Sequence, residues 1–214
     1  MKTFTAKWLI PLLLLIIIIF VSYQFYKDKP AVYDPADVNP ELVDKSLQSL
    51  SENHTVADFE LINQNGKTIT QEVYKDKIYI ADFFFTSCTT ICPIMTNNMA
   101  KIQKEFLDND NVMLLSLSVT PDIDSITRLR EYANSKGVID TKWNVTTGDK
   151  KHIYDLARKS YFATTNEGDG GLQDFIHTTN FVLVDAKKRI RGIYNGIDND
   201  EILRLIKDIK ILTN

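Results

Sequence analysis

The residues IYIADFFFTSCTTICPIMT (78–96) pass from a strand into a helix within one short loop. IYIADFFF is a continuous apolar run rich in β-branched and aromatic side chains, the composition of a strand buried on both faces. Pro93 has no N–H and a fixed φ, so it fits best at the first position of a helix. That leaves Cys92 near the helix cap and Cys88 in the preceding loop. Ligands of open α/β sheets gather at this place, outside the carboxyl end of a strand. Unpaired N–H groups and the positive end of the helix there favour thiolate over thiol.

The same alternation continues on both sides. VMLLSLSV (112–119) reads as a second buried strand, and Pro121 with Asp122 is expected to open a helix through Ile126, Leu129 and Tyr132 to Gly137. In the helix that Pro93 opens, Ile94, Met99, Ile102, Phe106 and Leu107 lie near one stripe. WNVTTG (143–148) reads as a short strand or turn, and Asp149 can cap a helix through Ile153, Leu156 and Ala157. TNFVLVDAKKRIRGIYNG supplies two strands around Asp185 to Lys188, and DNDEILRLIKDIKIL a closing amphipathic helix. Towards the N-terminus, VADFELI and KTIT flank an Asn/Gly turn as two short strands. Strands alternating with helices indicate an α/β fold with a mixed central sheet covered on both faces.

Of the 214 residues 44% are hydrophobic and 25% charged, an ordinary globular composition. The net charge of −3 comes from scattered residues with no basic run interleaved with aromatics, so no nucleic-acid partner is expected. Between Lys7 and Lys27 lie 19 uncharged residues, WLIPLLLLIIIIFVSYQFY. As a helix they would span roughly 28 Å, close to the ~30 Å hydrocarbon core of a bilayer, with Trp8 at one interface and Tyr23 and Tyr26 at the other. The segment predicts a transmembrane anchor over 8–26 behind a short tail, 1–7. A cleaved signal peptide is the rival reading, since Lys2 and Lys7 form a positive n-region, but no small-x-small triplet comes after it. Residues 27–52 hold three prolines and many acids and are expected to be a linker, with a short helix near Pro40 to Leu50. The remaining residues, 53–214, form one domain. A single N-terminal span usually exports the chain on its C-terminal side, which places this domain on the extracytoplasmic side of the cell membrane.

Cys88 and Cys92 are the only cysteines. Held by a wrapping loop, two such sulfurs can close a disulfide or admit a metal ion between them. Structural zinc would want four ligands, and no second pair exists. Two thiolates with one imidazole suit a soft, low-coordinate ion such as Cu(I). Of the three histidines, His54 and His152 read as surface residues from their neighbours. His177, in QDFIHTTNFVLV, stands between a glycine-rich loop and a buried strand, from which a mobile segment can bring it to the sulfurs. A stabilising disulfide and a pair of buried free thiols are the plainer alternatives.

The ordered stretches NQNGKTIT, YIADFFFTSCTTICPIMT, LSLSVTPDID and FIHTTNFVLVD resemble the Sco (SenC/PrrC) family of membrane-anchored, copper-binding cytochrome c oxidase assembly proteins. The resemblance implies a thioredoxin-like fold with an N-terminal β-hairpin extension, and one copper ion, Cu(I) or Cu(II), bound by Cys88, Cys92 and His177. It implies a metallochaperone that delivers copper to the binuclear copper site of cytochrome c oxidase subunit II. The first rival is a thiol:disulfide oxidoreductase, with Cys88 and Cys92 redox-active and a thiol reductant as partner, that reduces the acceptor's cysteines. The second is a peroxidase of related fold, whose chemistry needs an arginine beside the thiolate; the first arginine is Arg128. The family usually reads V-D-P where this chain has Val119, Thr120 and Pro121, so an acid near the site is missing. The segment 161–176 is expected to be a mobile docking surface, its aromatics Tyr161, Phe162 and Phe175 reading either as part of that surface or as core packing, with core favoured for Phe175.

Overall fold

The computed structural model describes residues 11–20, 29–43, 47, 54–164, 168, 170–171 and 173–213. Two compact units are present, Met1–Pro30 and Ala31–Asn214. In the first, residues 11–20 are helical, and every leucine and isoleucine among them is exposed. The rest of the expected anchor and the tail 1–7 lie outside the described residues. Among the described residues no helix is long and apolar enough to cross a membrane.

The second unit contains strands β1 (Glu60–Asn63), β2 (Thr68–Thr70), β3 (Ile78–Phe84), β4 (Val112–Ser118), β5 (Trp143–Thr147), β6 (Asn180–Val184) and β7 (Ile190–Asn195). They form one mixed sheet in the order β2-β1-β5-β4-β3-β6-β7. β3, β4 and β5 run parallel, and every other neighbouring pair is antiparallel. β1 and β2 pair around a turn in which Gly66 takes φ +70°, a left-handed conformation that glycine enters without steric cost. Helices α1 (Cys92–Glu105), α2 (Ile126–Ser135), α3 (Lys150–Asp155) and α4 (Asn199–Thr213) complete the unit, with α3 passing into a π-helical turn, Leu156–Ser160.

Strand alternation divides the core between the two faces of the sheet. Tyr79, Ala81 and Phe83 of β3 and Met113, Leu115 and Leu117 of β4 pack with Ile153 and Tyr154 of α3. Ile78, Ile80 and Phe84 of β3 turn to the other side and pack with Met95, Met99 and Ile102 of α1, Leu129 of α2 and Leu205 of α4. Asp82 belongs by parity to this second face, beneath α1.

Several elements differ from the sequence reading. The buried stripe of α1 is Met95, Met99 and Ile102, continued by Phe106 at its C-cap, whereas Ile94 and Leu107 are exposed, because the helix starts at Cys92 and its sheet-facing positions are set by that start. α2 begins at Ile126, not at Pro121; Ser125 caps it by accepting from the Arg128 N–H at 3.3 Å. Asp149 caps α3 as expected, accepting from the His152 N–H at 2.7 Å. In the segment read as a linker, several residues from Ala31 onward contact the domain. The Tyr33 N–H donates to Ile190 at 2.9 Å, Arg191 Nε to the Ala31 carbonyl at 3.1 Å, and Val38 and Val43 are buried in the α3-side core. Short 3-10 turns occupy Pro35–Asp37 and Pro40–Leu42; most of the expected helix up to Leu50 lies outside the described residues.

Candidate metal and thiol site

β3 ends at Phe84, and seven residues carry the chain to the first turn of α1. The Cys88 N–H donates back to the Phe85 carbonyl at 3.3 Å, a turn that lifts the Cys88 side chain over the start of the helix. There the free N–H of Cys92 donates to Cys88 Sγ at 3.3 Å. Orphan N–H groups of a helix's first turn commonly find such an acceptor. Both cysteines are free thiols, Cys88 half-buried and Cys92 buried.

Their environments separate the two sulfurs. Burial pushes the Cys88 thiol up, but hydrogen bonds from the Cys92 side chain and from the backbone of Cys92, Thr90 and Ile91 outweigh it and bring the group down to about 7. Cys92 is driven the other way, to about 12, first by burial, then by holding its proton towards Cys88, with the negative charges of Cys88 and Asp82 adding to the effect. The result is one accessible sulfur that ionises near neutrality and one protonated thiol beneath it.

Asp82 is fully enclosed in the sheet, and burial raises its pKa to about 7, against the opposing hydrogen bond from the Ser116 hydroxyl. Ser116 in turn accepts from Trp143 Nε1 at 2.9 Å. Tyr132 of α2 stacks on Phe84 with ring centroids 5.1 Å apart and meets Thr96, whose hydroxyl donates to the Cys92 carbonyl at 2.7 Å. Sequence reasoning assigns neither Asp82 nor Tyr132 to a site. A lone acid inside IYIADFFF is the available signal for Asp82, whereas Tyr132 arrives only through the packing of α2.

The histidines sort by contact. His54 is not a surface residue: its Nε2 lies 2.8 Å from the Ser160 carbonyl and its ring packs on Phe162 at 4.4 Å, because the chain before β1 folds back over the π-helical turn. His152 is likewise half-buried, with Nε2 enclosed, since α3 lies on the sheet. His177 is exposed. Its neighbours are anchored: Ile176 is buried, the Thr178 hydroxyl donates to the Ala163 carbonyl, and Phe175 meets Phe85 edge to face at 5.3 Å. That ring contact brings the stretch of chain carrying His177 against the loop carrying Cys88. Among the described residues no three histidine, cysteine or carboxylate side chains are already arranged to hold a metal ion. Of the aromatics open to either docking or core, Tyr161 and Phe162 are fully buried, while Phe175, favoured as core, is 45% exposed, because the π-helical turn carries the first two into the sheet face and Phe175 caps the cysteine loop.

The family model SCO1/SenC matches residues 48–213. The chain belongs to the SCO1/SenC family. The SCO1 protein homolog of Bacillus subtilis (strain 168) is 34% identical over 160 residues, covering 74% of this chain and 82% of that protein. BsSco, described as a member of the Sco family of cytochrome c oxidase assembly proteins with a disulfide switch, is 33% identical with a TM-score of 0.64, covering 75% of this chain and 94% of its own. Bradyrhizobium japonicum ScoI, solved with copper bound, shares the fold at 24% identity and a TM-score of 0.58, over 74% of this chain and 99% of its own. The mixed sheet with helices on both faces is the thioredoxin-like Sco fold. In this Sco protein the Thr120 hydroxyl donates to Asp124 at 3.0 Å.

Proposed function

We propose that this Sco protein is a copper metallochaperone that carries one ion on Cys88, Cys92 and His177 and passes it to the binuclear copper site of cytochrome c oxidase subunit II. The observation that carries this reading is the pair of free thiols stacked over the start of α1, with the His177 segment packed against the same loop through Phe175 and Phe85. The donor set fits the cargo: two sulfurs and an imidazole suit a soft ion of low coordination number. Because Cys88 is the more exposed of the two sulfurs, an incoming thiolate reaches its side of the ion first. Transfer then proceeds by stepwise ligand exchange, with Cys92 the last sulfur to let go. The test is anaerobic titration of the reduced protein with Cu(I) and Cu(II); failure to retain either ion would end the proposal.

The uncharged stretch 8–26 supports a membrane tether with the domain on the extracytoplasmic side, where the acceptor site also faces. Alkaline washing of membranes is expected to leave the full-length protein in the pellet; release into the supernatant would count against the anchor.

A second activity is favoured by the asymmetry of the two thiols. Cys88, near 7, is poised to attack a disulfide, and buried Cys92 to resolve the mixed disulfide. Alkylation of the metal-free protein is therefore expected to map to Cys88, rising with pH to half its maximal rate near pH 7, as the thiolate forms. A midpoint above pH 8.5, or equal labelling of both cysteines, would argue against reductase chemistry.

A further inference from the structure

Asp124, fully buried at the end of the loop after β4, accepts four hydrogen bonds. Its Oδ2 takes the Thr86 N–H at 3.2 Å, the Ser118 hydroxyl at 2.6 Å and the Thr120 hydroxyl at 3.0 Å. Its Oδ1 takes the Thr86 hydroxyl. Thr86 lies two residues before Cys88, whereas Ser118 is the last residue of β4 and Thr120 lies just beyond it. One carboxylate therefore fastens the cysteine loop, through both polar groups of Thr86, to the neighbouring strand. The Val119 N–H donates to the Phe84 carbonyl at 2.8 Å, so the two chain segments are already in register where the carboxylate joins them.

We propose that Asp124 is the positioning residue of this site, holding the Cys88 loop against β4 so that the two sulfurs stay within reach of one another. Thr120 belongs to the same device. A carboxylate in its place would face the carboxylate of Asp124 across a hydrogen-bond distance with no hydrogen to donate. The hydroxyl instead donates. A donor at position 120 thus suits a carboxylate that also accepts from Thr86 and Ser118.

The inference rests on reading Cys88 and Cys92 as a working pair, and is tested without copper. The full-length protein in detergent is equilibrated with glutathione. Cys88 and Cys92 together give two electrons and two protons to one oxidised glutathione, forming the protein disulfide and two reduced glutathiones. Loosening the loop restores the freedom of about one residue to the dithiol and so lowers the equilibrium constant for disulfide formation by about tenfold, a shift of ~30 mV for a two-electron couple. Asp124→Asn and Thr86→Val are expected to show this fall, Thr120→Asp at least as large a one, and Thr120→Ser a change of less than about twofold. Thr86→Val removes a single hydroxyl and serves if Asp124→Asn fails to fold. An unchanged constant in folded Thr86→Val, or a lower melting temperature without a change in the constant, would overturn the proposal. A wild-type protein that equilibrates with glutathione yet takes up no copper would end the copper reading and leave Asp124 in this role.

Discussion

His177→Ala is expected to weaken copper binding by the reduced protein by more than about a hundredfold, and Cys88→Ser and Cys92→Ser by more again. Removing a group that merely orients a ligand typically costs ~10–100-fold in metal affinity, and loss of a ligand exceeds the upper end of that range. The ordering rests on softness: sulfur is the preferred donor for Cu(I), and serine oxygen is not. The His177 effect is expected to be larger for Cu(II), which favours imidazole nitrogen. Since His177 is exposed, its replacement leaves the core untouched, and the melting temperature of the metal-free protein should not change. Copper retained equally by the wild type and all three variants, measured by competition with a chromophoric chelator, would refute the ligand set. A loss in the cysteine variants alone would mean that the ring does not cross to the sulfurs.

Arg158→Ala is expected to destabilise the metal-free protein by about 3–5 kcal/mol, the usual result of leaving one member of a buried ion pair alone. The guanidinium of Arg158 bonds both oxygens of Asp174 at 2.7 Å, with side-chain exposures of 9% and 6%. Asp174 also accepts the Gly170 N–H at 2.7 Å, and its carbonyl takes the Tyr154 hydroxyl at 3.3 Å. Together these bonds fix the chain three residues before His177. The Arg158 guanidinium, above all, holds the Asp174 carboxyl below the usual carboxylate range. A depressed pKa contributes stability that is fully present above the unfolded value, about 3.9, and is lost as pH falls through the folded value. The difference between wild type and Arg158→Ala should therefore be complete at pH 7 and shrink in acid. Urea unfolding at pH 7 checks it; a loss below about 1 kcal/mol would show that Asp174 finds solvent or another donor, as exposed pairs do. The double replacement Arg158→Met with Asp174→Asn should recover part of the loss, because no uncompensated charge then remains buried.

Much of this protein is readable along the chain. Strands at 78–84 and 112–118 are written as apolar runs, because a strand covered on both faces has no polar side to present. Pro93 and the cysteines mark the start of α1, since proline tolerates only the first turn. The misreadings share a cause. Ile94, Leu107 and Phe175 are apolar yet exposed, and His54 is polar yet packed on Phe162. Residue type states what a side chain prefers, while the angle at which its element meets the sheet sets what it receives.

Local sequence was enough for the sulfur pair and its place at a strand end, because spacing, proline and helix start act over a few neighbouring residues. The contacts of Asp124 with Thr86, of Arg158 with Asp174 and of Phe175 with Phe85 span 38, 16 and 90 residues of chain. No local pattern announces them. They exist because strands β3 and β4 lie side by side and the turn after α3 closes over the sheet, and hydrogen bonds of this kind form only once packing has excluded water from both partners.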